Sequence, residues 1–194
     1  MRAIAPLLIA IVIGQATPLL PSIEGTPNVA PDGTEVAVDL PTTEKKRNTG
    51  GRDGAGLCVF TSIEYCARWQ NERRLVDFQK EMKKEPGGGY PQKVDKMIAK
   101  YGAGTPYIQY EGGDMSIMKD ALKSGRGCAV TWGSDHMICL FHLDDKWAAV
   151  CDNNSPERIQ WLTPEAFKRK WTAGGRSGWT VILLAPPPPP IPKN

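Results

Sequence analysis

The stretch Gly54-Ala55-Gly56-Leu57-Cys58-Val59-Phe60, continuing to Trp69, puts a flexible glycine turn directly before an apolar helical run and a cysteine at the start of that run. Backbone N–H groups and the helix dipole favour an anion at that position, so a thiol there is suited to act as a thiolate nucleophile. Gly50, Gly51, Gly54 and Gly56 allow the backbone to approach a substrate carbonyl closely, and the Cys58 N–H is a candidate oxyanion donor. A cysteine buried in a structural helix is the plainer reading of the same residue.

Outward from this stretch the pattern stays helical and then changes. Leu75, Phe78 and Met82 share a face, and a third helix begins at Pro91, carries Val94, Met97, Ile98 and Tyr101, and stops at Gly102. A fourth is expected from Asp114 as its cap to Gly125. From Cys128 the period becomes that of strands: Cys128–Trp132, His136–Leu143 and 147–151, the last two joined by Asp144-Asp145-Lys146 as a hairpin. Thr163-Pro164-Glu165 opens a short helix ending near Trp171, and Trp179 to Leu184 reads as a last strand. Helices followed by antiparallel strands indicate an α+β fold, with the N-terminal helical part carrying Cys58 and packing on a C-terminal sheet.

The hairpin brings chemistry to the cysteine. His136 opens an apolar strand, a rigid element that can present an imidazole as general base. The returning strand ends at Asp152-Asn153-Asn154, beside the start of the outgoing one, and Asp152 or Asn153 is placed to orient that imidazole. His142, six residues further on, is expected on the same face but about 20 Å away, too far to serve the same thiol.

In order and spacing, five segments from about Asn48 to Leu184 resemble the papain-like cysteine peptidases, most closely the bacteriocin-processing, double-glycine peptidase branch. They are Gly54 to Phe60, Ala121-Leu122-Lys123-Ser124-Gly125 before a strand, Asp135-His136-Met137, Asp152-Asn153-Asn154, and Trp161-Leu162-Thr163-Pro164-Glu165-Ala166-Phe167. The resemblance implies a papain-like fold and a thiol-dependent hydrolase of peptide or amide bonds, working through Cys58, His136 and Asp152 or Asn153 and an acyl-enzyme. Where that family carries a glutamine six residues before its cysteine, this chain has Arg52. Arg52 and Asn48 are therefore the candidate side-chain oxyanion donors. The alternative is an inactive papain-like fold used as a binding or structural module.

Composition bounds the remaining possibilities. Lys and Arg number 24 against 21 Asp and Glu, a net charge of +3 without a long basic run, so no nucleic-acid partner is expected. Five cysteines and two histidines show no zinc spacing, and neither a metal nor another cofactor is expected. Two disulfides plus one free thiol, or five free thiols of which four are buried, account equally well for the odd count. Residues 1–16 read as a signal peptide, placing the domain in the cell envelope or outside the cell, with membrane contact only if that segment stays uncleaved. Residues 17–50, rich in Pro, Thr, Gly and Asp, are expected to be a flexible arm, linker or propeptide before a hydrolase domain at 51–185. The tail at 186–194 is proline-rich and a candidate ligand for a partner module, beside the peptide or protein substrate.

Overall fold

Gly56 turns the chain into its central helix at φ +79°, a backbone state that glycine adopts without strain. Helix α1 runs Leu57–Trp69 and is buried nearly all round, which marks it as the element around which others pack. A 3-10 turn, Arg73–Leu75, leads to the short helix α2, Phe78–Met82, and then to α3, Pro91–Tyr101, with proline in its first turn and Gly102 at its end. The computed structural model describes residues 28–36, 38–40, 44–50, 56–85, 87–174 and 177–187. The expected signal peptide, Arg52, and the tail beyond Pro187 lie outside them.

Among the described residues six strands follow or interleave: β1 Tyr107–Tyr110, β2 Cys128–Trp132, β3 His136–Leu143, β4 Ala148–Cys151, β5 Ile159–Leu162 and β6 Thr180–Leu183. They form one antiparallel sheet in the order β1-β6-β2-β3-β4-β5. Helix α4, Ser116–Lys123, precedes β2, and α5, Pro164–Trp171, lies between β5 and β6. Thr163 caps α5 by accepting the Ala166 N–H at 3.2 Å. Helix α4 begins two residues later than its expected cap: Met115 holds the N-cap position, while Asp114 still accepts from Ser116 N at 2.9 Å and Ser116 Oγ at 2.7 Å.

Both faces of the sheet are covered, which the helix-then-strand order had not indicated. Ala129, Met137, Val181 and Leu183 face α1, α2 and α3. Val130, Ile138, Leu140, Val150 and Ile182 face the other way, onto Met118 of α4 and Phe167 and Trp171 of α5. Residues alternate between the two cores along the central strands, as the pleat requires.

The region expected as a flexible arm is corrected in its described part. Ala30, Val36, Val38 and Leu40 join a third core with Tyr65 and Trp69 of α1, Phe141 of β3 and Trp161 of β5. Lys45 and Asp39 form an ion pair of 2.9 Å with both side chains nearly inaccessible, and Tyr65 OH donates to Asp39. Burial raises the Asp39 carboxyl above its ordinary value, against the lowering effect of Tyr65 and Lys45. The folded unit therefore starts well before residue 51. Composition pointed to a linker because the segment has few apolar residues, but four of them suffice to cover one end of the sheet.

Leu40 is 6% exposed and tests this directly. Leu40→Ala is expected to destabilise the chain by about 2–4 kcal/mol in urea unfolding, whereas a residue on a free arm would change stability by about 0.5 kcal/mol or less.

Candidate active site

The first turn of α1, the start of β3 and the turns around them enclose a cleft of about 90 Å³ lined by Gly56, Cys58, Gly89, Ser134, His136 and Trp179, among others. Cys58 is the second residue of α1 and is 8% exposed. His136 is the first residue of β3, paired across the ladder with Trp132. Its Nε2 lies 2.8 Å from Oδ1 of Asp152, immediately after β4, and the Cys58 thiol lines the same cleft. With Nε2 turned to the carboxylate, Nδ1 is the ring atom left for sulfur.

The electrostatics follow from this arrangement. Burial works against the His136 imidazolium, but the hydrogen bonds and charges of Asp152 and Cys58 outweigh it and raise the ring to about 9 from its ordinary 6.5. Burial would raise the Asp152 carboxyl, yet the His136 bond and the Asn154 N–H hold it below its usual value. The other thiols contrast with this environment. All five cysteines are free and buried, so the two-bridge account of them is set aside. Burial pushes Cys128 and Cys139 well up and Cys151 up to about 12, leaving those three inert at neutral pH.

Asp152 and Asn153, equivalent in sequence, are separated by the fold. Asn153 is 2% exposed, and its Nδ2 faces Cys58 O at 3.0 Å, Ser62 Oγ at 2.9 Å and Met137 O at 2.9 Å. Its amide therefore joins the helix of the cysteine to the strand of the histidine and is not turned to the imidazole. Asn48, expected as an oxyanion donor, does not line the cleft. Its Nδ2 donates to Asn154 Oδ1 at 3.2 Å and its Oδ1 accepts from Gly50 N at 3.0 Å. His142 pairs with Asp144 at 2.9 Å and packs on Trp161; a bulge between Leu140 and His142 resets the strand alternation and sets it beside Ala149.

Two further elements wall the cleft. Gly87-Gly88-Gly89, between α2 and α3, presses onto the entry to α1: a Cβ on Gly56 would sit 1.8 Å from Gly89 N, and one on Gly89 2.5 Å from Val59 Cγ2. Trp179, expected only as a strand residue, forms another wall and is fixed by its Nε1 donating to Gln109 Oε1 at 2.8 Å. A larger cavity of about 290 Å³ lies between Val38, Leu122 of α4 and the β3–β4 turn, but no thiol lines it. The chemistry points to the smaller cleft.

No protein-family model matches the chain, and no curated protein matches it either. Its structure is similar to the crystal structure of a C39-like peptidase from Bacillus anthracis, with a TM-score of 0.59 at 9% identity, covering 79% of this chain and 98% of that one. A double-glycine motif protease from an AMS/PCAT transporter, in complex with the leader peptide, overlaps at a TM-score of 0.41 with 17% identity, over 65% of this chain and 83% of that one. The first likeness establishes the fold, which is the papain-like α+β fold expected from the sequence.

Two measurements probe this geometry. The raised His136 favours the folded state fully below pH 6.5 and ceases to do so as pH climbs through about 9, while the lowered Asp152 contributes above its ordinary 3.8 and is lost as pH falls through its depressed value. The melting temperature of wild type should therefore exceed that of His136→Ala by more at pH 5.5 than at pH 9.5. Asn153→Ala removes the buried amide that Cys58 O, Ser62 Oγ and Met137 O share and is expected to cost about 1–3 kcal/mol in urea unfolding; a cost near zero would show that this amide does not hold the two halves of the site.

Proposed function

We propose that this chain, with the fold of the C39-like peptidases, is a cysteine peptidase or amidase that uses Cys58 as nucleophile, His136 as base and Asp152 to orient the imidazole. One observation carries the proposal: a single imidazole meets a carboxylate at 2.8 Å and lines one cleft with a cysteine at a helix start. His136 takes the Cys58 proton as sulfur attacks, and its raised value supports holding that proton at neutral pH.

In the proposed reaction Cys58 Sγ bonds to the carbonyl carbon, and the oxyanion that forms meets the Cys58 N–H, for which a first helical turn supplies no intrahelical acceptor. The C–N bond then breaks as His136 gives its proton to the departing amine. Water, deprotonated by His136, attacks the thioester, releasing the acid and restoring the thiol. The Asp152 carboxylate keeps Nε2 protonated and Nδ1 aimed at sulfur throughout. The substrate class proposed is a peptide or amide presented in extended form, since the Gly56–Gly89 contact leaves a narrow approach on one side of the thiol. The apolar segment at 4–13 and the small residues that follow support a site of action outside the cytoplasm.

The experiment is alkylation of Cys58 across pH, followed by mass spectrometry and paired with peptide hydrolysis. Wild-type Cys58 is expected to react at pH 6 at least about 10-fold faster than in His136→Ala, and Cys58→Ala should abolish hydrolysis. Asp152→Ala is expected to lower turnover by about 100-fold or more with a folded protein. Equal alkylation in wild type and His136→Ala would instead favour a papain-like fold without catalysis.

A further inference from the structure

We infer that Arg47 and Asn48 are positioning residues for the His136–Asp152 pair, acting through the loop Asn153–Asn154, an inference that rests on the peptidase reading above. Asn48 N donates to Asn153 O at 2.7 Å, Asn48 Nδ2 donates to Asn154 Oδ1 at 3.2 Å, and the Arg47 guanidinium donates to Asn154 O while pairing with Glu157 at 2.9 Å. Asn154 in turn touches the pair itself. Its backbone N–H donates to Asp152 Oδ1 at 2.8 Å, the same oxygen that meets His136, and its Nδ2 lies 3.4 Å from His136 Nε2.

The other edge of the segment is equally fixed. Thr49 donates through N and Oγ1 to Gln79 Oε1 at 2.8 and 3.0 Å, and Gln79 Nε2 returns a bond to Arg47 O at 3.2 Å. Gln79 N donates to the buried Glu64 of α1 at 2.9 Å. Residues 47–49 thus run from the helix carrying Cys58 to the turn carrying Asp152. Asp152 sits in a surface turn after β4, with no further strand bonds to hold its carboxylate, so its orientation depends on where Asn154 is held.

This role is local. The Arg47–Glu157 pair is 56% and 46% exposed in its side chains, and a solvent-screened contact of this kind contributes little to global stability. Its removal should leave the fold standing while freeing the turn. It follows that residues 47–49 belong to the working site, so cleavage that removes them is not an activating step.

The test uses the full chain and its two histidines, which ring-proton NMR resolves as His136 and His142. The titratable groups that act on His136 are Cys58 from α1 and Asp152 after β4, and Asp135 in the β2–β3 turn lines the same cleft. Loss of the Arg47 charge alone would push His136 up; loss of Asp152 orientation pushes it down, so the sign separates the two. In Arg47→Ala and Asn48→Ala the titration of His136 is expected to fall from about 9 by about one pH unit or more, with His142 unmoved and the melting temperature changed by no more than about 4 °C. Arg47→Lys, which keeps one donor for Asn154 O, should recover most of the shift. Asn48→Ala alters no charge and covers the case in which Arg47→Ala fails to fold. An unmoved His136 in Asn48→Ala overturns the inference. If wild-type Cys58 proves unreactive while His136 still shifts in these variants, the peptidase reading falls and the positioning role stands.

Discussion

A single buried amide holds the site together. Asn153 Nδ2 faces the carbonyl of Cys58, the hydroxyl of Ser62 and the carbonyl of Met137, all within 3.0 Å. Two of these acceptors are on α1 and the third is on β3, next to His136. Ser62 also donates to Met137 O at 3.1 Å, closing the triangle. Helix and strand meet elsewhere through apolar side chains, which set a distance between them but allow small rotations and slips. Directional bonds at the centre of that contact remove this freedom where the thiol and the imidazole line one cleft.

Around this point the fold works as a set of converging supports. The helix start sets the thiol, β3 sets the imidazole, and the β4 exit sets the carboxylate. The two glycines at positions 56 and 89 let the α2–α3 connection close on the helix entry, and Trp179, tied to Gln109 of β1, closes another side. The segment before α1 completes the enclosure from the outside, since its apolar residues cover Tyr65 and Phe141 and its polar ones reach Gln79 and Asn154.

What could be read from the sequence tracks how local each signal is. Pro91 with Gly102, and Thr163 with Pro164, mark helix ends through backbone chemistry confined to a few residues, and α3 and α5 were legible on that ground. Strands β1 and β5, four residues each at opposite edges of the sheet, carry too short a pattern to stand out from loops. The candidates Cys58, His136 and Asp152 were readable as residue types in compatible order. The choice between Asp152 and Asn153 was not, because both follow β4 directly and the turn geometry alone decides which points at the imidazole. The part played by residues 28–50 was hidden for a related reason: four apolar side chains have no period, and their destination is a surface built more than a hundred residues later.

The sheet order has a consequence for how the chain is made. β6, the last strand in sequence among the described residues, lies between β1 and β2 rather than at an edge. A nascent chain therefore exposes two unsatisfied strand flanks until Thr180–Leu183 has left the ribosome, and β1 has no neighbour in the sheet before then. Trp179, directly before β6, arrives at the cleft in the same event. A chain from which Thr180–Leu183 has not yet emerged therefore holds Cys58 without the Trp179 wall of its cleft.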